Sequence, residues 1–420
     1  MQTVALGVLV FARTDRPGWT GLVAAAAFLP IGLLAPIGGV LADRLDRRRW
    51  LILTTLAEMA FAAVLAVLAA TGEDPPGVLV ALAFLGGAAG AIGFPAYQAM
   101  VPDLVPREHL LGAVSLSSAQ FNLGRVIGPA LAGVALLTHD YGLVFGINAA
   151  SFGAVVVALV MVRLPRPVVV TGPWSLGARV TDGLHVAMAE PGCRAAIGLI
   201  AVVALLASPF IALVPAMAGV IHHGGIDTGE ATALLVTAQG VGAVGGALAL
   251  PSLADRFGRP LMVRLALTAL PVVLIAYGLA PSLAWSVLAF VGVGAVYITV
   301  LSGLNTVVQL RAPAAARGRV LGIYMMGLGI IYPIGAVLQG WIADHVGVRA
   351  ITVAGALVLL GSVAVVTLAR PGLFGSMGDP AAPAGPDDPA QPGDPGDPVG
   401  PVGGGRSGDA PIRPVIEPIR

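Results

Sequence analysis

Apolar runs of membrane-spanning length alternate with short charged turns along most of the chain. A helix that crosses a bilayer needs about 20 predominantly apolar residues, and eleven runs of roughly that length follow one shorter run. The pattern therefore predicts an all-α membrane protein with twelve helices in two sets of six. The predicted spans lie near 1–12 (partial), 19–42, 50–70, 77–101, 110–137, 143–163, 194–220, 230–254, 260–280, 283–306, 319–342 and 350–370.

The first span is too short to cross a bilayer as it stands. Residues 1–12 hold only about ten consecutive apolar positions. They lack the basic n-region and the small-residue cleavage site of a signal peptide. We therefore expect that Met1 is an internal methionine and that this helix, apparently truncated, begins upstream.

Composition supports the same class of protein. The 420 residues are 57% hydrophobic and 11% charged, with a mean hydropathy of +0.91, whereas soluble proteins carry about 25% charged residues. The single cysteine, Cys193, excludes an intramolecular disulfide. The sequence has no phosphate-binding loop, nucleophile motif or metal-ligand cluster, and His222–His223 is typical of a solvated loop. We expect a non-enzyme without cofactor, metal or nucleic-acid partner.

All 23 basic residues are arginine, and their distribution predicts the orientation. Cytoplasmic loops of membrane proteins are enriched in basic residues. If the turn at 43–49 is cytoplasmic, 19 of the 23 arginines lie on that side, and Arg13, Arg16 and Arg349 lie on the other. We expect a multi-pass protein of the bacterial cytoplasmic (inner) membrane, monomeric, with both termini cytoplasmic in the completed chain.

The two sets of spans form repeated halves. The segment LADRLDRRR at 41–49 recurs as LADRFGRP at 253–260, each time after the second span of its half. Duplicated halves are typical of transporters that bind substrate near mid-bilayer, between the repeats. The predicted divisions are a first half at 1–163, a cytoplasmic connector at 164–193 with a surface helix near 174–190, a second half at 194–370, and a disordered Pro/Gly-rich tail at 371–420.

The turn GGVLADRLDRRRW, from Gly38 to Trp50, carries the densest charge of the chain. The turn resembles motif A of the major facilitator superfamily, in which a glycine is followed, after three residues, by Asp-Arg and then by two further basic residues. The resemblance implies that superfamily's fold of two six-helix bundles. Asp46 stands where the motif usually has a glycine. The matching residues are Gly39, Asp43, Arg44, Arg47 and Arg48, and in the second copy Asp255, Arg256, Gly258 and Arg259.

We predict a gating role for this turn. Asp43, at the cytoplasmic end of the second span, is placed to accept charge-assisted hydrogen bonds from an arginine of the other half. Such bonds would hold the cytoplasmic side shut and would break as the halves move. Alternatively, the arginines at 44–49 only fix the topology.

The fifth span carries a second motif, GRVIGPALAG at 124–133. It resembles motif C of the superfamily's drug/proton antiporters, with Ala132 replacing a glycine, and that resemblance implies export rather than import. The alternative is ordinary packing of small residues between helices. The matching residues are Gly124, Gly128, Pro129 and Gly133.

Two ionisable residues lie deep in predicted spans of the first half. Arg125 is about midway along the fifth span, and an unpaired charge there costs at least about 2.5 kcal/mol. Glu58 lies about eight residues into the third span. We hypothesise that the two interact, directly or through Asn122, Gln120 or a substrate, and that Glu58 couples transport to protons. The alternative is a purely structural polar pair.

The intramembrane polar residues of the second half are uncharged. Aromatic rings and amides would suit a large amphipathic solute, although hydrogen bonding between helices explains each residue equally well. Ser208–Pro209 and Pro215 interrupt the seventh span, as a gate or a simple bend. The candidate substrate residues are Tyr297, Asn305, Tyr324, Tyr332 and Gln339, the last three within about 80° on one helix.

Several segments narrow the resemblance to the branch containing the enterobactin exporter and macrolide-efflux proteins. They include MQTVALGVLVF, FPAYQAMVPDLVPREHL and RGRVLGIYMMGLG. The resemblance implies secondary active export of a hydrophobic or amphipathic small molecule, such as a drug, siderophore or secondary metabolite, by proton antiport with alternating access. An importer or facilitator of the same fold, or a non-transporting membrane sensor or scaffold, remains as an alternative.

Overall fold

The computed structural model describes residues 2–106, 140–162, 176–221, 225–313, 316–370 and 372–378, and isolated positions between 109 and 138. Within these ranges the chain forms helices and no strands. The first half contains α1 (Gln2–Thr14), α2 (Pro17–Arg44), α3 (Arg47–Thr71), α4 (Pro76–Met100) and α5 (Tyr141–Met161). After α6 (Leu176–Ala189), the second half contains α7 (Pro191–Leu206), α8 (Phe210–Val220), α9 (Thr228–Phe257), α10 (Arg259–Gly278), α11 (Leu283–Arg311), α12 (Arg317–Val346) and α13 (Val348–Ala369).

The helices confirm an all-α membrane protein. Among the described residues, ten helical segments are long and apolar enough to cross a membrane, with α7 and α8 counted together, and α1 is a shorter apolar helix. The predicted fifth span at 110–137 lies outside the described residues except for isolated helical positions such as Gly124 and Gly128. The connector contains a helix, α6, close to the predicted 174–190.

Each half has its own apolar core, because its spans pack mainly on one another. Leu6, Leu65 and Phe145 are fully buried in the first half. A larger core in the second half includes Ile200 and Phe290. A third, small cluster joins the halves through residues of α2, α7, α8 and α12, namely Ala24, Ala204, Ala212, Tyr332 and Ala336.

The ordered chain extends beyond the predicted end of the second half. Residues Gly372–Gly375 form one helical turn, and Phe374 and Met377 are buried in the second-half core. The predicted start of the tail at residue 371 is therefore too early. Two large apolar side chains among the glycines and prolines explain the difference, because their burial stabilises the turn.

Candidate transport site

The halves meet along α2 and α12, which run antiparallel. We call the end of the bundle that holds the first residue of α2 the Pro17 end, and the opposite end the Arg44 end. At the Pro17 end the two backbones touch: a β-carbon on Gly21 would overlap the carbonyl oxygen of Ala336, and one on Gly340 would lie 2.9 Å from the Pro17 carbonyl oxygen. This contact therefore requires glycine at both positions.

The α2–α12 contact is one-sided. It continues to mid-helix, where a β-carbon on Gly329 would lie 2.8 Å from the backbone nitrogen of Gly32. Towards the Arg44 end, β-carbons on Gly39, Gly318 and Gly322 would meet no described atom within 4 Å. Gly39 lies two turns from Gly32, and Gly322 and Gly318 lie two and three turns from Gly329, on the same helix faces. The space between α2 and α12 therefore widens at the Arg44 end.

A buried carboxylate joins the two halves at the Pro17 end. Asp344, near the end of α12, accepts a hydrogen bond of 2.8 Å from the backbone N–H of Gly18, and its other oxygen lies 3.5 Å from the Arg16 guanidinium. The Asp344 side chain is only 7% exposed, whereas that of Arg16 is 58% exposed. Asp344 thus satisfies a free amide at the start of α2, where the helix dipole favours negative charge.

Sequence reasoning missed this contact. Asp344 and Arg16 each stand at the end of an apolar run, where a charged residue is ordinary. A pairing between spans 326 residues apart in sequence has no local signal. The only hint was that an acid and a base lie on the arginine-poor side.

The seventh span is broken between α7 and α8. Pro209 has no N–H to give the carbonyl of Leu205, and Phe210 donates to Ala207 rather than to Leu206. The Gln339 amide of α12 donates instead to the Leu205 and Leu206 carbonyls, at 2.8 and 3.0 Å. It thereby replaces the backbone bonds lost at the break.

A hydroxyl chain supports the same break from α11. The Tyr297 hydroxyl donates to Ser208 Oγ at 2.9 Å, and the Ser208 hydroxyl donates to the Val203 carbonyl at 3.2 Å. Tyr297 and Gln339 therefore have structural partners, and their contact with substrate stays a prediction. Proline at 209 was the available signal, because a proline inside a helix frees a carbonyl that a donor elsewhere must satisfy.

Three of the predicted substrate residues are tyrosines that lie near one another. Tyr332 packs with Ala204 and Ala212, on either side of the break that the Tyr297 hydroxyl supports. Tyr324 donates to the Leu301 carbonyl at 3.0 Å. The buried Tyr332 hydroxyl has no hydrogen-bond partner among the described residues, and its ring packs edge-on against Phe28 of α2 at 5.2 Å. This tyrosine cluster borders the junction of the halves.

Asn305 lies elsewhere on α11. Its side-chain oxygen accepts a hydrogen bond from Gln309, one turn along the same helix. The structure therefore gives Asn305 a local partner. Its role in substrate binding stays a prediction.

Glu58 lies between α3 and α4. A β-carbon on Gly90 of α4 would lie 2.8 Å from a Glu58 carboxylate oxygen, so glycine leaves space for the acid. No hydrogen-bond donor among the described residues contacts this carboxylate. Its hypothesised partners Arg125 and Asn122 lie outside the described residues. A neighbouring link between α4 and the fifth span is described, in which the Tyr97 hydroxyl donates to Gln120 at 3.0 Å.

Two of the motif A arginines, Arg47 and Arg48, form hydrogen bonds within the first half. Arg47 contacts the Asp103 carboxylate at 2.7 Å and donates to the Ala99 carbonyl at 3.0 Å. Arg48 donates to the carbonyls of Leu159 and Val160 at the end of α5. The two arginines thus tie the turn to the ends of α4 and α5, beyond any effect on topology. The Asp43 side chain lies outside what the structure describes, so its gating role stays a prediction.

Asp46, the departure from motif A, has a local explanation. It is the N-cap of α3, and its side chain accepts a hydrogen bond of 2.8 Å from the backbone N–H of Arg49. The second copy makes the turn with a glycine, because Gly258 has φ +73°, a conformation that glycine adopts without strain. The two copies therefore begin the next helix in different ways, one with a side-chain cap and the other with a left-handed glycine.

We expect Asp46→Ala to loosen the first turn of α3. Losing an N-cap costs about 1 kcal/mol, so amide hydrogen exchange across residues 47–50 should become about fivefold faster. Asp46→Asn keeps an accepting oxygen and serves as the control. Equal exchange in Asp46→Ala and the native protein would contradict the capping role.

Other predicted site residues are only partly described. Asp255 and Arg256 of the second copy are exposed, and Arg256 lies over the Phe257 ring at 5.6 Å. Of motif C, Gly124 occupies a helical position where a β-carbon would meet no described atom within 4 Å, while Pro129 and Gly133 lie outside the described residues. So do His222 and His223.

The connector helix α6 is bound to the start of α12 at the Arg44 end. Arg319 forms an ion pair of 3.2 Å with Asp182. Beside it, Glu190 caps α7 by accepting a hydrogen bond from the Cys193 N–H and pairs with Arg311 at 2.8 Å. These contacts fix the connector on the second half.

Comparison with known proteins agrees with this architecture. The family described as transmembrane secretion effector matches residues 1–376. Multidrug efflux pump Tap of Mycobacterium tuberculosis is 28% identical over 379 residues, which cover 87% of this chain and 88% of that protein. Macrolide efflux protein A of Streptococcus pyogenes is 28% identical over 163 residues, which cover 38% and 40%.

Solved structures share the fold. A bacterial homolog of the human lysosomal transporter Spinster, inward-facing and occupied, matches with a TM-score of 0.69 and 17% identity over 91% of this chain and 96% of that one. The nucleoside transporter NupG matches with a TM-score of 0.65 and 12% identity over 90% and 96%. The chain belongs to the transmembrane secretion effector family and is a multi-pass transporter of the major facilitator kind.

Proposed function

We propose that this transporter exports a hydrophobic or amphipathic small molecule by proton antiport, with alternating access. We place it in the bacterial cytoplasmic membrane with the Arg44 end and the C-terminus in the cytoplasm. The proposed substrate is a drug, a siderophore or a secondary metabolite.

The one-sided contact between α2 and α12 carries this proposal. The helices touch at the Pro17 end and separate towards the Arg44 end, as expected of one of two alternating states. Because most arginines are at the Arg44 end, the positive-inside rule favours a cytoplasmic opening. A solute would enter between the halves from the cytoplasm and leave when the Pro17 end opens.

The chemistry around the tyrosine cluster supports the substrate class. Tyr297, Tyr324 and Tyr332 are 6%, 2% and 5% exposed, and the neighbouring Phe28 adds a fourth ring. Aromatic rings with single hydroxyls match a large, mostly apolar solute better than a sugar. The relatives are efflux pumps by name, multidrug efflux pump Tap and macrolide efflux protein A.

Transport measurements with a fluorescent amphipathic dye in inside-out vesicles test this function. A pH gradient, acidic inside, should drive dye into the vesicle lumen, and a protonophore should abolish the uptake. Gradient-driven dye movement in the opposite direction would identify an importer. No dye movement for any gradient would favour a sensor or scaffold.

Proton coupling is assigned to Glu58, whose carboxylate occupies the space beside Gly90. We expect Glu58→Gln to reduce gradient-driven dye transport at least tenfold, because an amide cannot exchange a proton. Dye counterflow without a pH gradient should persist. Glu73→Gln, which neutralises an exposed loop acid, is the matched control. Undiminished gradient-driven transport by Glu58→Gln would exclude Glu58 from coupling and leave export itself unaffected.

A further inference from the structure

Two crevices open on the sides of the bundle at the Pro17 end. One, of about 460 Å³, lies between α1, α3 and the start of α5, and Arg13 lines it. The other, of about 500 Å³, lies between the end of α10 and the start of α13, and Arg349 lines it. Because α3 and α5 correspond to α10 and α13 in the repeat, the crevices occupy related positions.

The two crevices differ in charge. Arg13 forms an ion pair of 2.9 Å with Asp74, whose side chain is only 4% exposed, and Asp140 also lines that crevice. Arg349 donates one long hydrogen bond, 3.4 Å, to the Val220 carbonyl. It has no carboxylate partner in the described part of the chain, so the second crevice carries an uncompensated positive charge.

Two further features of the second crevice suit an anion. Arg349 is the second residue of α13, and no side chain caps the start of that helix, so its free amides add partial positive charge. The buried hydroxyl of Tyr277, at the end of α10, has no hydrogen-bond partner among the described residues. The next residue along the helix, Gly278, lines the crevice.

The rest of the second crevice is apolar and faces outward. It runs from Arg349 along α13 past Val353 to Leu357, a distance of about 12 Å at 1.5 Å per residue. Leu279 and Leu357 are 63% and 53% exposed, and on membrane-spanning helices such side chains contact lipid. A charged rim above an apolar groove matches a lipid head group above its acyl chain.

We propose that this crevice binds one anionic phospholipid, with its phosphate on Arg349 and the start of α13 and an acyl chain along Val353 and Leu357. Arginine binds phosphate through two parallel hydrogen bonds. The described lining has no acid to hold an ammonium head group, which favours phosphatidylglycerol over phosphatidylcholine. This site is separate from the transport pathway and does not depend on the proposed export.

Native mass spectrometry of the purified full-length chain tests this site. It is titrated with palmitoyl-oleoyl phosphatidylglycerol or the matching phosphatidylcholine. We expect Arg349→Gln to lower the affinity for the first bound phosphatidylglycerol about fivefold, which is the effect of one basic residue at a membrane surface. The affinity for phosphatidylcholine should change little. Ala354→Trp, an exposed position in the groove, should weaken both lipids while Arg349 remains.

The paired variant Arg13→Gln with Asp74→Asn is the control, because it removes the related arginine and leaves no buried charge unpaired. It should bind phosphatidylglycerol as the native chain does. Unchanged affinity in Arg349→Gln, or an equal loss in the control, would overturn the proposal. Equal binding of both lipids would also overturn it, because the groove would then bind lipid by apolar contact alone. Competition by soluble glycerophosphoglycerol at matched concentration would overturn it as well, because the site would then bind free phosphate esters.

Discussion

Replacing Gly21 with leucine should abolish transport and hold the Pro17 end open. A β-carbon at this position would overlap the Ala336 carbonyl oxygen, and backbone cannot yield as a flexible side chain does. Leucine is also a better helix former than glycine, so each half should still fold. Gly21→Ala should already slow turnover, and Gly21→Leu should reduce it at least a hundredfold, because the proposed cycle requires this end to close.

The geometry behind that loss is measurable. Spin labels attached to Glu73→Cys and Ser282→Cys lie in loops of different halves at the Pro17 end. The distance between them, measured by double electron–electron resonance, reports how far the Pro17 end is open. The native chain offers a clean background because its one cysteine, Cys193, is buried. Gly21→Leu should shift the distances to longer values.

Gly327→Ala is the matched control, because it adds a β-carbon to α12 where no described atom lies within 4 Å. It should transport normally and keep the native distances. Transport by Gly21→Leu above a third of the native rate, at equal expression, would show that closure does not require this contact.

Much of the architecture was predictable because the bilayer imposes simple rules. Every spanning segment must be apolar and about 20 residues long, so α2 and α13 follow directly from their apolar runs. The charged turns and the repeat of LADR at 41–44 and 253–256 indicated the two halves. The span containing Arg125, by contrast, was identified in sequence but lies outside the described residues.

Which helix faces meet was not predictable. In a soluble helix the buried face is apolar and the exposed face is polar, but in lipid both are apolar. The chain has 57 glycines, and the sequence does not show that a side chain would overlap backbone at Gly21 but would meet no described atom within 4 Å at Gly39. The close contact between α2 and α12 therefore became visible only in the structure.

The polar residues in the spans stood out in the sequence, but their roles could not be predicted. Gln339 and Tyr297 were visible as unusual, but each suits a substrate or a structural partner equally well. Their contacts depend on the break at Pro209, and the sequence did not indicate which donors would reach it. Asp46 was visible as a departure from motif A. Its capping hydrogen bond could have been predicted if the first residue of α3 had been known.

Asp344 should control how firmly the Pro17 end closes. Its charge-assisted hydrogen bond to the Gly18 N–H is 2.8 Å long, and such bonds contribute about 1.5–3 kcal/mol. Asp344→Ala should therefore raise the open-to-closed ratio at this end by about 10- to 150-fold. The spin labels at positions 73 and 282 should then show a larger long-distance population.

The two partners of Asp344 should contribute unequally. Arg16 is 58% exposed and 3.5 Å from the carboxylate, and an exposed ion pair contributes at most about 1 kcal/mol. Arg16→Gln should therefore raise the open population no more than about fivefold, while Asp344→Asn, which keeps an acceptor for Gly18, should lie between the two. If Arg16→Gln opened this end as far as Asp344→Ala, the ion pair rather than the capped amide would hold the halves together. If the spin-label distances in Asp344→Ala matched those of the native chain, the glycine contact alone would hold the Pro17 end closed.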